Sequence, residues 1–172
     1  RYTNGIVTGL MLVADNFSTS QTTPGNSSLA RERAQKIMLN KDVNEIARTG
    51  KTFRPVYGYK GYNGGETDAE NFFMYHTPDY LYVAVINYKN TTINGPLSGN
   101  LPLSDLGITA AEVGSVKELW SGNGVSLSGE NLPYSVSKAD ACIYRLSKTK
   151  GLTFKCDKAA DRDMFSRSHR TA

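Results

Sequence analysis

"LMLVADNF", residues 10–17, runs five apolar residues straight into Asp15 and Asn16. A strand that ends in a carboxylate is one way to present an acid to a substrate. General acid–base or nucleophilic work by that acid needs a second titratable group within reach. The nearest acids in sequence are Glu32, Asp42 and Glu45, and they interleave with Arg31, Arg33, Lys41 and Arg48, the pattern of a solvated helical face. Asp15 therefore reads first as a residue that turns the loop through its own side chain. Its second reading is as one wall of a site, with Asn16 beside it, at the end of a buried strand.

Other chemistries find little support. His76, His169, Cys142 and Cys156 lack the spacing of a zinc site, and no G-x-S-x-G elbow, P-loop or G-x-G-x-x-G run is present. No cofactor and no metal are expected. A single bridge between the two cysteines would pin the tail to the last strand. Tyr57, Tyr59 and Tyr62 cluster in one segment and Trp120 precedes "SGNG". Exposed, Tyr59, Tyr62 and Trp120 would make flat faces for stacking sugars. Otherwise Trp120 packs in or beside a core and the tyrosines line a domain junction.

The elements that must position these residues fall into two kinds. Ile6 to Ala14 is a nearly continuous apolar run, predicted as a strand buried on both faces of a parallel sheet. The loop "STSQTTPGNSS" follows, then a helix capped by Ser27 or Ser28 with Leu29, Ala30, Ala34, Ile37 and Met38 at helical spacing. Asn40 caps a short continuation, "KDVNEIART", which Gly50 closes. Residues 1–50 thus form a βα unit. Residues 51–66 are rich in Gly and Tyr and read as a linker. From 67 to 148, the runs "NFFMYHT", "YLYVAVINY", "SVKELW", "VSLSG" and "ACIYRLS" alternate with turn signals, as in an antiparallel β-sandwich. The predicted class is mainly β.

At 172 residues the chain has room for one good core but not for a complete α/β barrel and a second domain. Its apolar runs are too short to span a bilayer, and no secretory signal is visible, although a chain beginning "RYTNGIVTG" is compatible with a start removed. No membrane partner is expected. Residues 148–172 carry seven Lys or Arg against three Asp, which accounts for the whole net charge of +4. A solvated basic tail (149–172) explains that better than a nucleic-acid site, so no nucleic acid is expected. The lone parallel strand poses a harder problem. About six backbone groups buried unpaired at roughly 1–3 kcal/mol each would rival the stability of a whole domain. The βα unit needs neighbours from elsewhere.

The order "LMLVADNFST", "ARERAQKIMLNKDVNEIAR", "FFMYHTPDYLYVAVINYKN", "VKELWSG" and "YSVSKADACIYRLSK" resembles the C-terminal part of the α-galactosidases and α-N-acetylgalactosaminidases of glycoside hydrolase family 27. The similarity spans residues 6–148. "ARTGKTFRP" departs from the Asn, Gln, Asp and Pro run that the family usually has after this helix. The resemblance implies a (β/α)8 barrel followed by an antiparallel sandwich, with retaining hydrolysis of terminal α-galactosides by two Asp residues on earlier barrel strands. Those strands are absent here, so the chain is expected to be non-catalytic, to pair with the missing barrel portion and with carbohydrate, and to place Asp15 and Asn16 at the rim of the barrel's site. A secreted, periplasmic or lysosome-like compartment goes with it. The alternative is a free-standing carbohydrate-binding sandwich.

Overall fold

The computed structural model describes residues 2–10, 27–58, 70–88 and 95–149. Asp15, Asn16, Tyr59, Tyr62, Cys156 and His169 lie outside the described residues, as do residues 11–14 and the tail from residue 150.

The first element corrects the expectation of a strand from Ile6. Tyr2–Thr8 is an α-helix, α1, with Thr3, Ile6 and Val7 buried along one side. Short apolar runs are compatible with either structure, and backbone satisfaction decides between them. Every strand pair among the described residues is antiparallel, so a strand at Ile6 would have no parallel neighbour. A helix pairs its own N–H and C=O groups and still buries Ile6 and Val7, at about 1.5–3 kcal/mol per side chain. Gly9 ends it at φ +69°. A Cβ there would meet the Gly50 carbonyl oxygen at 3.0 Å, and Phe53 N–H donates to the Val7 carbonyl at 2.8 Å. The end of α1 therefore lies against residues 50–53.

Helix α2 spans Ser27–Met38 and α3 spans Lys41–Thr49. The caps of α3 are those expected. Asn40 Oδ1 accepts from Val43 N–H at 3.0 Å, and Gly50 takes the left-handed conformation at φ +59°, with its N–H on the Ala47 carbonyl.

Seven strands follow among the described residues: β1 (Arg54–Pro55), β2 (Phe72–His76), β3 (Tyr80–Asn87), β4 (Leu97–Pro102), β5 (Val113–Glu118), β6 (Asn131–Val136) and β7 (Asp140–Lys148). One sheet has the order β1-β2-β3-β7-β5 and the other pairs β4 with β6. The runs from Asn71, Tyr80 and Ala141 are strands as expected, and the sheet already begins at β1, inside the 51–66 segment. "VSLSG" is not a strand: it contributes only an isolated bridge, Ser128 to Asn131. In its place, β4 and β6 form the second sheet. Their Gly99, Pro102 and Pro133 read as turn residues in sequence, yet a two-stranded sheet has only edge strands and tolerates Pro. Tyr134 Oη would lie 2.8 Å from a Cβ at Gly99, its cross-strand partner, so the glycine leaves room for that ring.

The sandwich has a third layer. Leu81, Val83 and Val85 of β3 point into a core shared with Leu101, Leu103, Leu132, Val136 and Leu146. The alternate residues Tyr82, Ala84 and Ile86 pack with Ile6 and Val7 of α1, Val43 and Ile46 of α3, Phe53, Leu119 and Ile143. The continuous apolar run of β3 is thus that of an antiparallel strand covered on both faces, by a sheet on one side and helices on the other.

Candidate functional site

Asp42 sits in the first turn of α3, where the positive end of the helix favours a carboxylate. It is not part of a solvated face. Its Oδ2 accepts from Lys117 Nζ of β5 at 2.7 Å and its Oδ1 from Arg145 Nη1 of β7 at 3.0 Å. The Lys117 ammonium, bonded to the carboxylate, is the main cause holding the Asp42 pKa below the usual carboxylate value, and Arg145 adds to it. Arg145 also lies over the ring of Tyr80, 5.1 Å from its centroid. Glu32 keeps the surface role expected of it, paired with Lys36 at 3.1 Å.

The turn after β5 shows what "ELWSG" does. Glu118 accepts from the backbone N–H of Trp120 at 3.0 Å and of Ser121 at 2.7 Å. Leu119 is buried, its N–H donates to the Ile143 carbonyl, and its own carbonyl accepts from Asn40 Nδ2 at 2.8 Å. Asn40 therefore caps α3 with its oxygen and ties the helix to this turn with its nitrogen. "LNKDV", "VKELW" and "IYRL", far apart in sequence, converge on one junction between α3 and the sheet.

Trp120 is half-buried beside that junction. Its indole N–H donates to Thr3 Oγ1 at 3.2 Å, and its ring packs T-shaped with Tyr2, with centroids 5.9 Å apart. It borders a cavity of about 500 Å³, walled by Tyr2 and Asn4 of α1, Lys36 of α2, Tyr88 after β3, and Asp140 at the start of β7. Of the proposed sugar-stacking residues, Trp120 is the one within the described residues. The other cavity residues give no signal in sequence, because α1, α2, the end of β3 and the start of β7 bring them together.

Among the described residues, Cys142, His76 and Tyr57 are not at this cavity. Burial pushes the Cys142 thiol up to about 12, and the residue is a free cysteine in the inter-sheet core. A thiol so protonated is a poor nucleophile. Burial, with Arg54 and Lys148 adding to it, lowers His76 to about 4, so its imidazole is neutral near pH 7. Tyr57 Oη donates to Asp105 Oδ2 at 2.9 Å, and burial together with that acceptor raises its pKa to about 12. No group of three or more metal-ligating side chains occurs among the described residues. None of their helices is long and apolar enough to cross a membrane.

No family model and no curated protein matches the chain. Solved structures do. The isomalto-dextranase of Arthrobacter globiformis, solved with panose, superposes with a TM-score of 0.56 at 18% identity, over 87% of this chain and 23% of its own. α-Galactosidase I of Mortierella vinacea gives 0.55 at 12% identity, over 84% of this chain and 34% of its own. A Bacteroides fragilis structure described as an α-galactosidase gives 0.53 at 15%, over 87% and 28%. The chain thus shares a fold with part of these proteins, and spans about a quarter to a third of their length.

Proposed function

We propose that this chain is the C-terminal, non-catalytic portion of a retaining glycoside hydrolase acting on terminal α-linked galactosides, with the sandwich supporting a catalytic barrel. The observation that carries this reading is the helical layer. Helices α1 and α3 are held on the outer face of the five-stranded sheet by Ile6, Val7, Val43 and Ile46, by the Asp42 ion pairs, and by the Asn40 contact to Leu119. A sandwich does not need such helices for its inter-sheet core. A barrel that ends in helices needs a rigid surface to hold them.

The exposed apolar side chains favour the same reading. Leu10 is 62% exposed at the end of α1, and Leu39 is 74% exposed at the end of α2. Both would be covered by further barrel elements. On this reading residues 1–50 are the last piece of the barrel, 51–66 the link and 67–148 the sandwich, with Asp15 and Asn16 at the rim of the barrel's site. A secreted, periplasmic or lysosome-like compartment fits the reading.

The test is hydrolysis of an aryl α-galactoside. The isolated chain should show none, and two strand-terminal Asp residues should be encoded upstream of Arg1. Cleavage by the isolated chain, abolished by a substitution within it, would overturn the assignment.

A further inference from the structure

We propose that the cavity between α1, the end of α2 and the β6–β7 turn binds a neutral hexopyranose, free or at the end of a glycan. Three observations on its walls point to that chemistry. The first is rigidity. Trp120 is tethered through its N–H to Thr3, packed T-shaped with Tyr2, and held at its own backbone by Glu118. Its indole donor is thus already used. What it offers a ligand is a fixed apolar face, suited to the C–H face of a sugar ring.

The second is the polar complement. Asp140 Oδ1 accepts from Ala141 N–H at 2.8 Å, and among the described residues its Oδ2 has no partner. Asn4 adds an exposed amide to the cavity lining, donor and acceptor together. Vicinal hydroxyls both donate and accept, and match such a pair. The third is shape. About 500 Å³ lies within the range of small-molecule sites, with room for one or two sugar rings. The turn that presents Asp140 is strained, since Ala139 holds φ at +53°, a conformation few L-residues adopt.

Other ligand classes fit less well. An anion would face Asp140, and the nearby Lys36 is already paired with Glu32. A quaternary cation would use Tyr2, Tyr88, Trp120 and Asp140 but leave the Asn4 amide idle.

Trp120 is the single tryptophan of the chain, so the emission of the full chain reports on this cavity alone. Titration with D-galactose and with D-glucose should give a saturable change for at least one of them. Asp140→Asn should weaken that binding about tenfold or more, because a charged acceptor is lost. Tyr88→Ala should weaken it as well. Asp140 is exposed, so Asp140→Asn decides the matter even where Tyr88→Ala fails to fold. A response that never saturates, saturation by choline but by neither hexose, or hexose binding indifferent to Asp140→Asn would each overturn the proposal. The proposal does not rest on the hydrolase reading. Hydrolysis by the isolated chain would end that reading and leave this binding untouched.

Discussion

Asp42 is the residue on which the helical layer turns. It faces two cations, Lys117 and Arg145, from two strands, and its side chain is 29% exposed. Removing it leaves both cations without their acid in a half-buried place. Discounted for that exposure, Asp42→Ala should cost about 1–2 kcal/mol by urea denaturation, and Asp42→Asn nearly as much, since the charge is what both partners use. Acid should act through two residues in turn. The folded pKa of His76 is lowered to about 4, so an unfolded chain binds its proton first as pH falls. His76 thus lowers stability progressively from about pH 6.5 to about pH 4. Asp42 is also lowered, and its contribution, fully present above its unfolded value near 3.8, is lost as pH falls further. In a series of unfolding curves from pH 7 to pH 4, His76→Gln should flatten the decline while Asp42→Asn leaves that part of it in place. An unchanged slope in His76→Gln would show that its imidazole does not titrate on unfolding.

At the scale of elements, the junction of α3 with the turn after β5 separates capping from docking. Asn40→Asp keeps an oxygen for Val43 N–H but loses the donor to the Leu119 carbonyl, whereas Asn40→Ala loses both. The alanine variant should cost about 2 kcal/mol and the aspartate variant about half of that, by thermal or urea unfolding. Gly9→Ala forces a side chain into φ +69° and against the Gly50 carbonyl, so it should cost about 1–2 kcal/mol and speed amide exchange in α1 before it affects β3. What was legible in sequence divides along the same line. The caps of α3 were readable because Asn40 and Gly50 act within one turn. Strand β3 was readable because its apolar run is long, though its cover by a sheet and by helices was not. Helix α1 reads as a strand in sequence because an apolar stretch near Ile6 fits either, and only the lack of a parallel partner among the described residues decides. Strands β4 and β6 were hidden by Gly99 and Pro133, tolerable only in an edge pair. Asp42 reads as a surface acid in sequence because its partners stand 75 and 103 residues away. The cavity was least legible of all, since its walls meet only in the folded chain and only Trp120 among them was singled out.

At the scale of the molecule, a two-sheet core faces one way and a helical layer the other, joined by the doubly covered β3. The structures that share its fold in part are longer: the chain covers 34% of α-galactosidase I of Mortierella vinacea and 28% of the Bacteroides fragilis protein. We propose that this chain is the support on which the barrel of such a protein is completed. Fragment complementation tests that claim most directly. The segment encoded upstream of Arg1 and the present chain would be produced separately, mixed, and assayed on an aryl α-galactoside. The account predicts little or no activity from either alone, activity on mixing, and co-elution of the two, weakened by Asp42→Ala. Full activity of the upstream segment without this chain, or activity of this chain by itself, would contradict it.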